Sequence, residues 1–193
     1  MIPTANGSGS VSVHCIAPAQ VIRGSGAWNE AQPQISGLFR NPLLLGRSSS
    51  TEALRSRLCR DLNATGLTVY QQNLEHDCCE LDLQRIQNDF SRHSCDGVIA
   101  AGGGKVIDAG KLLADRLEVA CVTVPLSAAT CAGWTALSNI YSPDGAFERD
   151  QSLRRCPDLL VFDHQLLLKA PARTLASGIA DALAKWYEAS VSS

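Results

Sequence analysis

The sequence predicts an α/β fold built on an open parallel sheet, and three observations carry that reading. Short continuous apolar runs (Leu43–Leu45, Val98–Ala101, Val119–Val124) alternate with single segments of helical length and periodicity. That is the rhythm of strand–helix–strand units whose strands are covered on both faces. A glycine triplet, Gly102–Gly103–Gly104, sits directly between one such run and the helical segment after it. Finally, 193 residues with 45% apolar and 19% charged side chains suffice for one packed domain plus about a third of another.

The elements follow in order. Residues 1–10 are small and polar and read as a frayed end. Val11–Ile22, with Val13, Cys15 and Val21 broken by Pro18, suits an edge strand or extended arm. Pro42–Leu45 ends at Gly46 as a buried strand. Ser50 or Thr51 then caps a helix carrying Leu54, Leu58 and Leu62. Gly66 closes that helix, and Leu67–Tyr70 reads as the next strand. Leu81, Ile86 and Phe90 mark a helix, and Gly97–Ala101 a buried strand. Lys105 to Leu117 forms a helix with Ile107, Leu112 and Leu113, and Val119–Val124 is a strand stopped by Pro125. Residues 137–162 predict a hairpin attached to the sheet, turning at Ser142–Pro143–Asp144–Gly145. Pro171 can open a helix, and Leu175, Ile179, Leu183 and Tyr187 predict a well-packed face on it.

Charge and cysteine content exclude several classes. Seventeen basic against nineteen acidic residues leave no basic footprint for nucleic acid. The five arginines in residues 38–60 and the five acids in residues 75–90 read as solvated helix faces. No apolar run approaches the length needed to span a bilayer. Eight cysteines are too few for a disulfide scaffold, so the expectation is a soluble cytoplasmic chain with reduced thiols. His76, Cys78 and Cys79 suggest a metal cluster, but adjacent cysteines without a C-x-x-C partner seldom share one tetrahedral ion. They read as unpaired thiols. The four histidines (14, 76, 93, 164) form no nucleophilic or zinc motif.

The glycine triplet carries the strongest chemistry. Between a buried strand and a helix start, glycines let backbone N–H groups approach an anion, and the helix N-terminus favours phosphate. Position 107 is Ile, so this is not G-x-G-x-x-G, and Lys105 follows too closely for a P-loop. Asp108 and Lys111 fit either an ion pair on an exposed helix face or a functional role. Asp181 fits an i,i+4 pair with Lys185 better than a metal ligand on spacing alone.

Longer stretches carry a likeness. Val98–Lys111 resembles the GGGK-x-x-D-x-x-K signature of the iron-containing alcohol dehydrogenase superfamily, in its glycerol dehydrogenase branch. Val124–Pro125 followed by Ala129–Ser138 and Ile140–Tyr141 agrees in order and spacing. So does Ser177–Glu188, which resembles the helix where that family places its first metal ligand. The likeness spans roughly residues 13–190. It implies a Rossmann-like NAD(P)-binding domain over residues 1–163. Residues 164–193 would be the start of an all-α metal-binding domain that is otherwise missing, so that this chain alone would be incomplete and inactive as a dehydrogenase.

Carried over by position, Gly102, Gly103 and Gly104 would face the cofactor diphosphate, with Lys105 and Asp108 nearby. Thr130, Thr135, Leu137 and Tyr141 would line the nicotinamide side. Asp181 would be a ligand to Zn2+ or Fe2+, in place of the simple ion pair. Cys131 stands in the substrate pocket where glycerol dehydrogenases carry an acid, which points toward hydroxycarboxylate dehydrogenase-type members and 2-hydroxy or 2-oxo acids. Leu126 replaces the usual Thr after Pro125. Gly46–Arg47–Ser48 stands where an acid would normally take the ribose hydroxyls, so with NAD or NADP as the cofactor Arg47 points to NADP(H) tolerance or preference. A small-molecule substrate and a homo-oligomer of the full-length protein are implied. A non-catalytic nucleotide-binding module, or a half-enzyme needing a partner chain, is the alternative. Within the family, glycerol or glycerol-phosphate chemistry is the other possibility.

Overall fold

The computed structural model describes residues 16–192. Six strands form one parallel sheet: β1 (Gln20–Gly24), β2 (Pro42–Gly46), β3 (Tyr70–Asn73), β4 (Gly97–Gly102), β5 (Ala120–Pro125) and β8 (Leu159–Asp163). Their order is β1-β8-β5-β4-β2-β3. This is the Rossmann-like α/β sheet that the apolar runs predict. Between β5 and β8, β6 (Leu137–Tyr141) and β7 (Phe147–Ser152) pair antiparallel.

Each central strand is buried on both faces, because side chains alternate across it. Leu44, Ile99, Val122 and Val161 join one apolar layer with Trp28 and Ile35 of α1 (Ala27–Leu38) and Leu58 and Leu62 of α2 (Glu52–Ala64). Leu43, Leu45 and Val98 join the opposite layer. There they meet Leu83, Ile86 and Phe90 of α3 (Glu80–Arg92) and Leu112 and Leu113 of α4 (Gly104–Leu117). The result is three layers, helix on sheet on helix. Each fully buried leucine contributes about 1.5–3 kcal/mol by leaving water. Gly110 lets α4 lie directly on β4: a Cβ there would stand 2.4 Å from that of Ala100.

The structure corrects several local expectations. Helix α1 is absent from the sequence reading, although Trp28, Ala31 and Ile35 recur at helical spacing and are buried; Pro33 within it obscures the pattern. In its first turn, Trp28 N–H donates to Asp163 Oδ2 at 2.8 Å, while Asp163 Oδ1 caps the short helix α5 (His164–Leu167). The third strand begins at Tyr70, because Thr68 and Val69 spend their N–H groups on Arg40 O and Asn63 Oδ1. On α3 the buried stripe is Leu83, Ile86 and Phe90, and Leu81 is exposed. Thr51 occupies the cap position of α2 without capping it; the Ser48 hydroxyl accepts from Ser50 N one turn earlier. Strands β6 and β7 form their own sheet, and β8 returns to the main one. Val13 and Cys15 lie outside the described residues, and the observed edge strand starts at Gln20.

The charge runs are not simply solvated faces. Arg55, Asp77 and Asp82 are buried. Asp82 Oδ2 accepts from the backbone N–H groups of Glu75 and His76, and its Oδ1 from Arg85. The final helix, α6 (Ala172–Val191), has no buried residue. Leu175, Ile179, Leu183 and Tyr187 are exposed rather than packed, because no described element covers that face. The helix touches the domain at Gly178, where a Cβ would overlap Ala128 O. Among the described residues, no helix is long and apolar enough to cross a membrane.

Candidate functional site

The strand order reverses beside β2. From β2 the chain runs outward to β3, returns to β4 on the other side of β2, and continues through β5 to β8. The connections leaving β2 and β4 therefore diverge, and a crevice opens beyond their carboxyl ends, the usual ligand position in open α/β sheets. A cleft of about 680 Å³ lies there. Five cationic side chains line it, Arg47, Arg57, Lys105, Lys169 and Arg173, and none of its lining residues is acidic. In a chain of net charge −2, that asymmetry marks an anion-binding cleft.

One wall is the turn after β2. Glycine at position 46 leaves room for Arg55, since a Cβ there would lie 2.0 Å from Arg55 Nε. Arg55 crosses beneath and donates to Ser48 O and to Asn73 Oδ1, each at 3.1 Å, and also to Thr51 Oγ1. Burial lowers its pKa, opposed by nearby Glu52, but guanidinium stays charged at any working pH. Arg55 thus holds the turn that presents Arg47 and Ser48.

The other wall is the β4–α4 junction. Gly103 is the N-cap with no side-chain cap bond; Val106 N–H turns back to Gly103 O at 3.1 Å, while the N–H groups of Gly104 and Lys105 precede the first intrahelical bonds. A Cβ on Gly103 would have nothing nearer than Ser127 Oγ at 3.6 Å, so the space above it is open. On Gly104 it would stand 2.9 Å from Thr130 Cγ2. This opening, with free N–H groups at a helix start and cations around it, fits the diphosphate of a dinucleotide.

Asp77, on the β3–α3 loop, joins the two walls. Its Oδ1 lies 2.6 Å from Arg47 Nη1, and its Oδ2 accepts from Lys105 Nζ. Lys105 also stands 4.5 Å over the ring of Tyr141. Arg47 is therefore not a loose surface arginine; its orientation is set by a buried carboxylate.

Of the residues expected from the sequence, Arg47, Gly102, Gly103, Gly104 and Lys105 share the cleft. Asp108 does not line it, and the expected exposed face is instead interior. Asp108 Oδ1 lies 3.1 Å from Lys111 Nζ, both buried, and its Oδ2 accepts from Asn139 N at 3.3 Å. Lys111 donates to Thr135 O and Oγ1, both at 3.2 Å, and to Leu137 O. The pair fixes the 135–139 segment against α4. Burial pushes the Asp108 carboxyl up, with Lys111 opposing. Thr130, Thr135, Leu137 and Tyr141 belong to the segment beside the cleft, joined to it through Gly104, Lys111 and Lys105. Cys131 is exposed. Asp181 Oδ1 pairs with Lys185 Nζ at 2.5 Å. That bond raises the Lys185 pKa.

Sequence reasoning missed Asp77, Arg55, Arg57, Lys169 and Arg173. Only the basic character of Lys169 and Arg173 around Pro171 was visible as a signal.

Residues 18–164 match the family model described as iron-containing alcohol dehydrogenase. The chain belongs to this family. An uncharacterized oxidoreductase of Synechocystis sp. is 44% identical over 178 residues, 92% of this chain and 46% of its own. Hydroxycarboxylate dehydrogenase A of Escherichia coli K12 is 40% identical over 114 residues, 59% of this chain and 31% of its own. The crystal structure of a probable glycerol dehydrogenase from Sinorhizobium meliloti superposes with a TM-score of 0.80 at 28% identity, covering 90% of this chain and 47% of that one. The chain spans about half the length of the Synechocystis and Sinorhizobium relatives it matches.

The family is described as iron-containing and as alcohol dehydrogenase, which makes a metal and a nicotinamide the groups to test against these residues. The cleft fits the cofactor. The metal is another matter: catalytic centres take about three protein ligands, and among the described residues no cluster of three ligating side chains includes Asp181. Asp181 alone does not form such a centre.

Proposed function

We propose that this chain is the NAD(P)-binding half of an oxidoreductase acting on a CH–OH group. The observation that carries it is the acid-free, five-cation cleft at the switch point, floored by Gly102–Gly104. The diphosphate would rest on the start of α4, where N–H groups and helix field favour it. Arg47 would face the adenosine ribose, and the 130–141 segment the nicotinamide. The bound nicotinamide supplies or accepts the hydride. The residues of this chain bind and orient it: Lys111 and Asp108 hold the 135–139 segment, and Lys105 ties Tyr141 to the cleft wall. Asp181 would give one ligand to Zn2+ or Fe2+, the others coming from residues outside this chain. The substrate reading is a small 2-hydroxy or 2-oxo acid, supported by thiol Cys131 in place of an acid and by the likeness to a hydroxycarboxylate dehydrogenase. Glycerol is the alternative within the family. The 164–193 segment would open a helical domain that covers the exposed face of α6.

Arg47 further supports NADP(H). Asp77 engages one guanidinium nitrogen and leaves the rest of the fork for a 2′-phosphate. Arg47→Ala is expected to lower the ratio of NADPH to NADH affinity about tenfold, the loss of one partly solvated phosphate contact. Paired calorimetric titrations read it, and an unchanged ratio sinks the NADP(H) preference while leaving dinucleotide binding standing.

A non-catalytic nucleotide-binding module remains the second reading, favoured by the lack, among the described residues, of any ligating cluster that includes Asp181. Joining the chain to a helical half with two further ligands and assaying 2-oxo acids with NADPH separates the two readings.

A further inference from the structure

We propose a second cation site, distinct from Asp181, formed by His76, Cys79 and Asp82 and suited to zinc. His76 and Cys79 lie on the loop between β3 and α3, and Asp82 is in the first turn of α3, so the three stand three residues apart. One ligand atom from each lies within 4.8 Å of the other two. His76 Nδ1 and Asp82 Oδ1 are 3.6 Å apart, inside the roughly 3.3–3.8 Å that ligand atoms keep around one tetrahedral zinc. His76 is half-buried and Cys79 buried, so the site would be partly shielded from solvent.

Independent observations point the same way. The buried Nδ1 of His76 has no hydrogen-bond partner. Such an orphan in a native site calls for a missing partner, and a cation is one. Asp82 is already oriented: Oδ2 takes two backbone N–H groups and Oδ1 takes Arg85 at 3.0 Å. An Oδ1 lone pair remains free, and such supporting bonds are what fix a ligating carboxylate. Cys79 sits at the N-cap of α3, one turn before Asp82. The neighbouring Cys78 does not compete. It packs into the core with Ile86 and Ile140. Nitrogen, sulfur and oxygen together with one solvent position suit zinc rather than calcium or magnesium. The adjacent cysteines hide the pattern in the sequence, because the ligating pair is His76 and Cys79, with an aspartate as the third member.

The site has a consequence for the cleft. Asp77, which holds Arg47 and Lys105, lies between His76 and Cys79 on the same loop. An ion there fixes that loop and hence the two cations.

The test is a titration of the metal-free, reduced chain with Co2+ and with Zn2+. One equivalent of Co2+ should bind with a thiolate-to-cobalt charge-transfer absorption, displaced by Zn2+. Cys79→Ser should remove the absorption, and His76→Ala should weaken binding at least about tenfold, as losing one ligand does. Cys131→Ser and Asp181→Asn should leave both unchanged. A wild-type chain without the charge-transfer absorption overturns the site on its own. So does an absorption that survives Cys79→Ser or that depends on Cys131. Circular dichroism on each variant confirms its fold, and His76→Ala, at a half-buried position, keeps the test open if Cys79→Ser does not fold.

Discussion

Gly103→Asp should abolish dinucleotide binding while leaving the domain folded. The backbone at 103 is ordinary extended chain (φ −82°, ψ −175°), so glycine is not required there for conformation. A Cβ meets nothing closer than 3.6 Å, so the side chain needs no rearrangement. What it changes is charge: a carboxylate then stands at the mouth of the α4 N-terminus, where the diphosphate is expected. Like-charge juxtaposition in such a site costs several kcal/mol, which is a loss of about 100-fold or more in affinity. Calorimetry with NADH and NADPH reads the loss, and the melting temperature reads the fold. Binding kept within a few-fold at an unchanged melting temperature contradicts the assignment of the diphosphate to this turn.

Lys111→Met is expected to have the largest effect on stability. It leaves Asp108 buried without its counterion and removes three hydrogen bonds to the 135–137 backbone and side chain. Removing one partner of a buried pair costs about 3–5 kcal/mol. The cost depends on pH, and its sign follows from Asp108. Its folded-state pKa is raised by burial. A raised acid contributes stability that is fully present below its unfolded pKa and is lost as pH rises through the folded one. Without Lys111 the folded pKa rises further. The deficit of the variant therefore shrinks as the solution is acidified and Asp108 takes up a proton. Urea unfolding of both proteins at neutral pH and at about pH 5 checks it. A deficit below about 1 kcal/mol that does not change with pH contradicts the role given to the pair.

Much of this was legible in the sequence because local pattern and tertiary structure agree. Leu43–Leu45 and Val98–Ala101 are uniformly apolar since parallel strands are covered on both sides. The glycine triplet lies where a strand meets a helix, and the structure opens the cleft there. Other features depend on approach between distant segments, which periodicity does not record. Asp77 reads as one acid in an acidic stretch until folding sets it between Arg47 and Lys105, 30 and 28 residues away. Arg55 reads as a surface arginine until the glycine at 46 is seen to make room for it. The strict spacing of Leu175, Ile179 and Leu183 identifies an apolar face correctly, yet a face is buried only if something covers it. Asp108 and Lys111 sit at the spacing of a surface ion pair and are interior instead, because β6 packs over them.

Hydrogen exchange at backbone amides, with and without saturating NADPH, tests the central claim most directly. A dinucleotide at the switch point should slow exchange in two separated stretches, residues 46–51 after β2 and residues 102–106 at the start of α4, and leave the outer helix α3 unchanged. Protection confined to other segments, or none at saturating NADPH, would contradict the assignment of this cleft as the cofactor site.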